Sequence, residues 1–148
     1  MTEVKLEQLV NGAMVVTTIT LDLNQDFSLD PTNLENDMTF ISNRLGFYGD
    51  LASELQAQAA RHKLNAEAVY AREAISIRES GTKYTDAAVK ERVASNVAYM
   101  KACEQQIESE KYFRKVENLF KSLKDKTNLA IAICYKQNSE IKSLSFSN

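Results

Sequence analysis

Apolar residues recur at helical spacing over two long stretches, residues 29–78 and 84 to about 136, separated by the polar break Ser80-Gly81-Thr82-Lys83. In the first stretch Ile41, Leu45, Tyr48, Ala52, Leu55, Ala59, Ala66, Tyr70, Ala74 and Ile77 fall near a 3.5-residue period, a seam narrow enough for coiled-coil-like packing. In the second, Val89, Val93, Val97, Met100, Ile107, Tyr112, Val116, Leu119, Leu123, Leu129 and Ile133 carry the pattern, with a slip in register between Ile107 and Tyr112. The pattern predicts an all-α fold, a long antiparallel helical hairpin with helices over about 31–79 and 85–136 inside a domain of residues 28–137. Two helices cannot wrap a core around themselves, so the stripes are expected to be covered by further copies in a homo-oligomer.

Local chemistry supports these boundaries. Asp30 suits the N-cap of the first helix, Pro31 suits its first turn because it has no N–H to leave unpaired, and Leu29 with Leu34 form a hydrophobic staple. Gly46 and Gly49 interrupt this helix at a cost of about 1 kcal/mol each relative to Ala, and mark a bend or a close helix crossing. Gly81 is free to take positive φ after the helix, Thr85 is placed to cap the next one, and Tyr84 with Val89 make a second staple. Leu129-Ala-Ile-Ala-Ile-Cys-Tyr135 is apolar on every side, which a stripe against one neighbouring helix does not explain. Leu123, Leu129, Ile131, Ile133 and Tyr135 are therefore the expected oligomer contact.

The two ends read differently. Residues 1–27 form an N-terminal extension in which Val15-Val-Thr-Thr-Ile-Thr-Leu-Asp-Leu23 alternates and is β-branched, a strand over 15–23. A lone strand is not stable, so it is expected to pair with a symmetry mate, to add to a partner, or to be only loosely ordered. Residues 138–148 are Ser-rich and read as a flexible tail. The first residues are acidic and open no apolar run of signal-peptide length, and no stretch approaches the ~20 apolar residues of a membrane span, so a cytoplasmic protein without membrane contact is expected.

Charge changes the picture more by its distribution than by its total of −2. Residues 1–54 hold nine acids and only Lys5 and Arg44, whereas residues 55–148 hold sixteen bases against eleven acids, so a basic face is available in an acidic protein. Catalysis is not expected: the chain has one histidine, no Gly-rich strand-turn-helix and no Gly-x-Ser-x-Gly, so no set of groups is arranged for acid-base or nucleophilic work. His62 has Ala66 where a second metal ligand would stand, and Cys103 and Cys134 belong to no Cys-x-x-Cys pair; these read as a surface histidine and packed thiols, with no metal and no cofactor. Glu104, Glu108 and Glu110, scattered among lysines, read as members of intrahelical ion pairs.

One constellation points toward a ligand. Around Lys111-Tyr-Phe-Arg-Lys115, residues Phe113, Val116, Phe120, Leu123 and Thr127 share one helical sector while Lys111, Arg114, Lys115 and Lys121 project to the opposite side, with Lys124 and Lys126 beyond. Arg61, followed by His62 and Lys63, shares a helix face with Arg72, and Arg78, Lys83, Lys90 and Arg92 flank the turn. Repeated by oligomer symmetry, these charges could track a phosphate backbone, with Tyr70, Tyr84 or Tyr99 stacking on bases where exposed. Ordinary solvation of a helix surface accounts for the same charges.

The order of several short motifs resembles the bacteriophage recombination mediators, the UvsY-like family. Leu29-Asp-Pro-Thr-Asn-Leu-Glu35, followed by Phe40-Ile-Ser-Asn-Arg-Leu45, is similar to the family's Asp-x-Thr-x-Leu helix opening. Lys83-Tyr-Thr-Asp-Ala-Ala-Val-Lys-Glu-Arg-Val93 resembles its Lys-x-Thr start of the second helix, and Tyr99 and Phe120-Lys-Ser-Leu-Lys-Asp-Lys-Thr-Asn-Leu129 resemble its later segments. The resemblance covers roughly residues 28–137 and departs at Val69-Tyr70-Ala71-Arg72, where tyrosine stands in place of an expected lysine. It implies a non-catalytic, cofactor-free oligomer that binds single-stranded DNA and helps a RecA-like recombinase displace single-strand-binding protein. The expected DNA contacts are Arg61, Lys63, Arg72, Arg78, Lys83, Lys90, Arg92, Lys111, Arg114, Lys115 and Lys121. A coiled-coil structural or adaptor protein without DNA affinity is the competing expectation.

Overall fold

The computed structural model describes residues 2–22 and 34–145, with side chains described over 2–22 and 37–139. The chain is mostly helical, with a two-stranded antiparallel sheet at its N-terminus. The strand expected over 15–23 is present as Ala13–Leu21 (β2), and it pairs within the chain with Thr2–Val10 (β1), a strand not expected from the sequence. Two signals direct this hairpin. Val4 and Leu6 alternate with Glu3, Lys5 and Glu7, and Asn11-Gly12 forms a two-residue turn in which both residues take positive φ, 50° and 82°. Asn-Gly is the dipeptide that adopts this turn at least cost, and its twist matches that of the flanking strands. The register pairs Val4 with Ile19 and Thr2 with Leu21 on one face, where Val4, Leu6 and Leu21 are buried.

Among the described residues the helices that follow are Leu34–Glu79 (α1), Asp86–Ala94 (α2) and Val97–Ser145 (α3). The cap and staple expected at Leu29, Asp30, Pro31 and Leu34 lie outside the described side chains. The α1 seam is the expected one: Ile41, Tyr48, Ala52, Leu55, Ala59, Ala66 and Ala74 are buried, and Leu45, Tyr70 and Ile77 half-buried. The turn is also as expected, with Gly81 at φ 82° and the Thr85 hydroxyl accepting from the Ala88 amide at 3.3 Å.

The second helix is not continuous over 85–136. It stops at Ser95 and restarts after Asn96, whose side-chain oxygen accepts from the amides of Ala98 (2.8 Å) and Tyr99 (3.3 Å). Asparagine competes with helix propagation in this way because its short amide reaches the free N–H groups of the next turn. The break resets the phase of α3. Val97, Met100 and Ile107, expected on the seam, are exposed, and Ala102, Ser109, Val116, Leu123 and Ala130 are buried instead at an unbroken seven-residue interval. No slip between Ile107 and Tyr112 is needed. Small and polar residues hide this seam; buried Ser109 fits it by donating its hydroxyl to the carbonyls of Gln105 (2.6 Å) and Gln106 (3.1 Å), so its hydroxyl is not left unpaired.

The structure forms two compact units, one within Met1–Ala52 and Lys115–Asn148, the other Ser53–Arg114. The first holds the hairpin and the buried residues Ile41, Tyr48, Leu51, Val116, Leu123 and Ala130. Leu123, expected at an oligomer contact, is fully buried within its own chain, where a leucine contributes about 2 kcal/mol and is not available to a second copy. Leu129, Ile133 and Tyr135 are exposed and Ile131 half-buried. Where a tail is expected from residue 138, α3 continues to Ser145. No described helix is long and apolar enough to cross a membrane.

Candidate nucleic-acid interface

Most of the basic residues singled out in the sequence lie in the unit Ser53–Arg114, built from the later part of α1, the turn, α2 and the start of α3. Its core near the turn is Ala74, Val89 and Val93, with Tyr70, Ile77, Tyr84 and Tyr99 packed against them. The α1 and α3 segments run antiparallel here: Asn96 donates to the Glu73 carboxylate at 2.9 Å, and about one turn further along, Tyr70 meets Tyr99 edge-on, centroids 5.5 Å apart. Hydrogen bonding with the Cys103 thiol, then burial, holds the Tyr99 phenol above its usual pKa. The three tyrosines considered for base stacking are therefore half-buried members of this cluster. Tyr84 is further covered by the Arg92 guanidinium, 4.3 Å from its ring centre.

Around the turn, Arg78, Lys83, Lys90 and Arg92 are exposed, but they do not form a bare cationic patch. Arg78 donates to Asp86 at 2.9 Å, a pair so exposed that it contributes about 0–1 kcal/mol and could exchange for another anion. Arg61 and Arg72 are exposed on one face of α1, about three turns apart, and Arg72 lies 3.5 Å from Glu73.

A second group is assembled by the fold rather than by sequence proximity. A shallow recess of about 280 Å³ is lined by Gln56, Ala59, Ala60 and Lys63 of α1 and by Glu110, Phe113 and Arg114 of α3. A neighbouring hollow of about 320 Å³ is lined by Ile107, Glu110, Lys111 and Arg114. Lys63, expected apart from the Lys111–Lys115 group, thus shares one recess with Arg114, while Lys111 lines the other; Glu110, common to both, lies 3.8 Å from Arg114 and accepts from Gln106 at 3.1 Å. The sequence marks Glu110 only as an intrahelical partner and Phe113 only as a seam residue; the antiparallel packing that places both in one recess leaves no local sequence signal. Such a recess, with cations at its rim and an aromatic wall, suits a phosphate and its attached sugar or base.

Lys115 and Lys121 belong to the other unit, exposed on α3, with Lys121 paired to Glu117 at 2.8 Å. Within Ser53–Arg114 ten bases face nine acids, so attraction for a polyanion rests on local arrangement and not on net charge. His62 is half-buried, and Cys103 and Cys134 are half-buried free thiols. No family model, curated protein or solved structure matches this chain.

Proposed function

We propose that this chain is a single-stranded DNA-binding recombination mediator, a homo-oligomer that holds the strand on basic residues and helps load a RecA-like recombinase onto DNA covered by single-strand-binding protein. The observation that carries the reading is the convergence of Lys63 from α1 with Arg114 from α3 at one recess walled by Phe113, with Lys111 lining the neighbouring hollow that shares Glu110 and Arg114. Arg61, Arg72, Lys83 and Lys90 add exposed positive charge in the same unit. Arg78 and Arg92 supplement it, and Lys115 and Lys121 are exposed contributors on α3. The motif resemblance supplies the mediator role, and it implies neither a reaction nor a cofactor.

Binding of this kind is electrostatic and nonspecific: each neutralised phosphate releases condensed counterion, so affinity falls steeply with salt. The test is a fluorescence titration of an oligo-dT strand at low salt. The reading requires saturable binding tighter than to duplex, and Lys63→Ala with Arg114→Ala should weaken it; absence of binding ends it.

A structural or adaptor role without DNA affinity is the second reading. The ion pairs Arg78–Asp86, Arg114–Glu110 and Lys121–Glu117 favour it, because they already neutralise three of the expected DNA contacts. It expects self-association with no response to oligo-dT.

A further inference from the structure

β2 is an edge strand without the usual protection. Its residues, Ala13-Met-Val-Val-Thr-Thr-Ile-Thr-Leu21, include no charge, proline or glycine, and its register with β1 is unbroken by a bulge. Natural edges of this length are ordinarily guarded by charges, prolines or bulges, since an open ladder of N–H and C=O groups pairs with any strand that fits. Every residue from Ala13 to Thr18, and Thr20, is exposed. Toward the turn the hairpin is apolar on both faces, with Leu9, Val10, Met14, Val15 and Val16 all exposed.

The phase of the ladder identifies the open groups. A two-residue turn makes Val10 and Ala13 a hydrogen-bonded pair, and alternation then makes Gln8 with Val15, Leu6 with Thr17 and Val4 with Ile19 the further bonded pairs. The N–H and C=O groups of Met14, Val16, Thr18 and Thr20 consequently point away from β1. Among the described residues, no backbone bond outside the hairpin engages them.

We propose that this edge is a homodimer seam: two copies pair β2 to β2, antiparallel about Thr17, to close a four-stranded sheet in the order β1-β2-β2-β1. In that register Met14 of one copy meets Thr20 of the other and Val16 meets Thr18, so all four outward-pointing residues of each strand are satisfied. Val15 lies opposite Ile19, an apolar cross-strand pair. The distribution of charge selects a second copy as the occupant. The charged residues of the two strands, Glu3, Lys5 and Glu7, are all on β1. The seam therefore brings no like charges together, while β1 becomes the outer strand of the enlarged sheet, where Lys5 and its neighbouring glutamates discourage further addition. Through this seam association stops at two copies.

The inference is independent of the DNA reading, because its test reads mass and cross-linking and not affinity. Thr17 would face its own copy in a non-hydrogen-bonded pair, with Cα atoms about 4.5 Å apart, inside disulfide range. Mild oxidation of full-length Thr17→Cys is expected to give a disulfide-linked dimer in high yield, against a background set by the parent with its native Cys103 and Cys134. Val16→Lys with Thr18→Lys is expected to halve the sedimenting mass while leaving the helical circular dichroism unchanged. Thr17→Cys that cross-links no more than the parent, or a lysine variant that keeps the parental mass, overturns the proposal. So does a parent that sediments as a monomer, which would leave the edge to a strand of another protein.

Discussion

A methyl group on Gly49 would stand 3.3 Å from the Phe120 ring, so these two residues mark a close approach of α1 and α3 within one unit. Gly46, one turn earlier, has open space around the same position. Of the two explanations for these glycines, a close crossing applies to Gly49. Gly46→Ala should therefore recover most of the ~1 kcal/mol that glycine costs a helix, because nothing opposes the methyl. Gly49→Ala should recover less, since Phe120 must shift by a few tenths of an ångström, and Gly49→Val should destabilise outright. Urea denaturation midpoints of the three variants check the order Gly46→Ala above Gly49→Ala above Gly49→Val.

Asn96 both caps α3 and ties it to α1 through Glu73. Asn96→Ala should cost about 1–2 kcal/mol, the loss of a cap together with a half-buried hydrogen bond. Asn96→Ser should retain part of the stability by supplying a hydroxyl cap without the reach to Glu73. Thermal melts of the two variants compare the contributions, and equal stability of Asn96→Ala with the parent would remove the cap from this account.

The raised Tyr99 pKa gives the fold a dependence on alkaline pH. A phenol that holds its proton more tightly when folded contributes stability below its unfolded pKa and loses it as pH rises through the folded value. Stability should decline above the ordinary tyrosine range, and Tyr99→Phe should flatten that part of the profile. Denaturant midpoints measured across that range check the difference.

Leu129 and Ile133 are one helical turn apart and both exposed, so the end of α3 remains a candidate contact that does not depend on buried Leu123. Ile133→Asp should lower the oligomer mass, because a carboxylate would be desolvated there, with little effect on the stability of the single chain. Light scattering at micromolar concentration measures the change; an unchanged mass would place the contact elsewhere.

The parts of the fold legible in the sequence are those signalled by strong local chemistry or large side chains. The α1 seam is marked by Ile41, Tyr48 and Leu55, and the turn by Gly81 and Thr85, each with its own steric or hydrogen-bonding reason. β1 carries a quieter signal: alternation of Val4 and Leu6 with charged residues, leading directly into Asn11-Gly12. The seam of α3 is harder to read, since Ala102 and Ser109 are small or polar while exposed Val97, Met100 and Ile107 imitate a stripe. The cap at Asn96 shifts the phase, and one asparagine inside a helical pattern rarely announces a break. In the candidate site, the Lys111–Lys115 group is visible in the sequence, but the meeting of Lys63 with Phe113 and Arg114 depends on antiparallel packing between distant segments.

Arg72→Ala with Lys83→Ala should reduce affinity for single-stranded DNA at unchanged oligomer mass and lower the salt slope by about 0.7 for each phosphate that is no longer neutralised. Weaker affinity without a change in slope would assign these residues a structural effect instead.

Most direct for the central claim is the affinity of the unaltered protein for an oligo-dT strand, followed by fluorescence anisotropy from low salt to physiological ionic strength. The account predicts saturable binding whose logarithm falls linearly with the logarithm of salt concentration; a flat signal at low salt would contradict it.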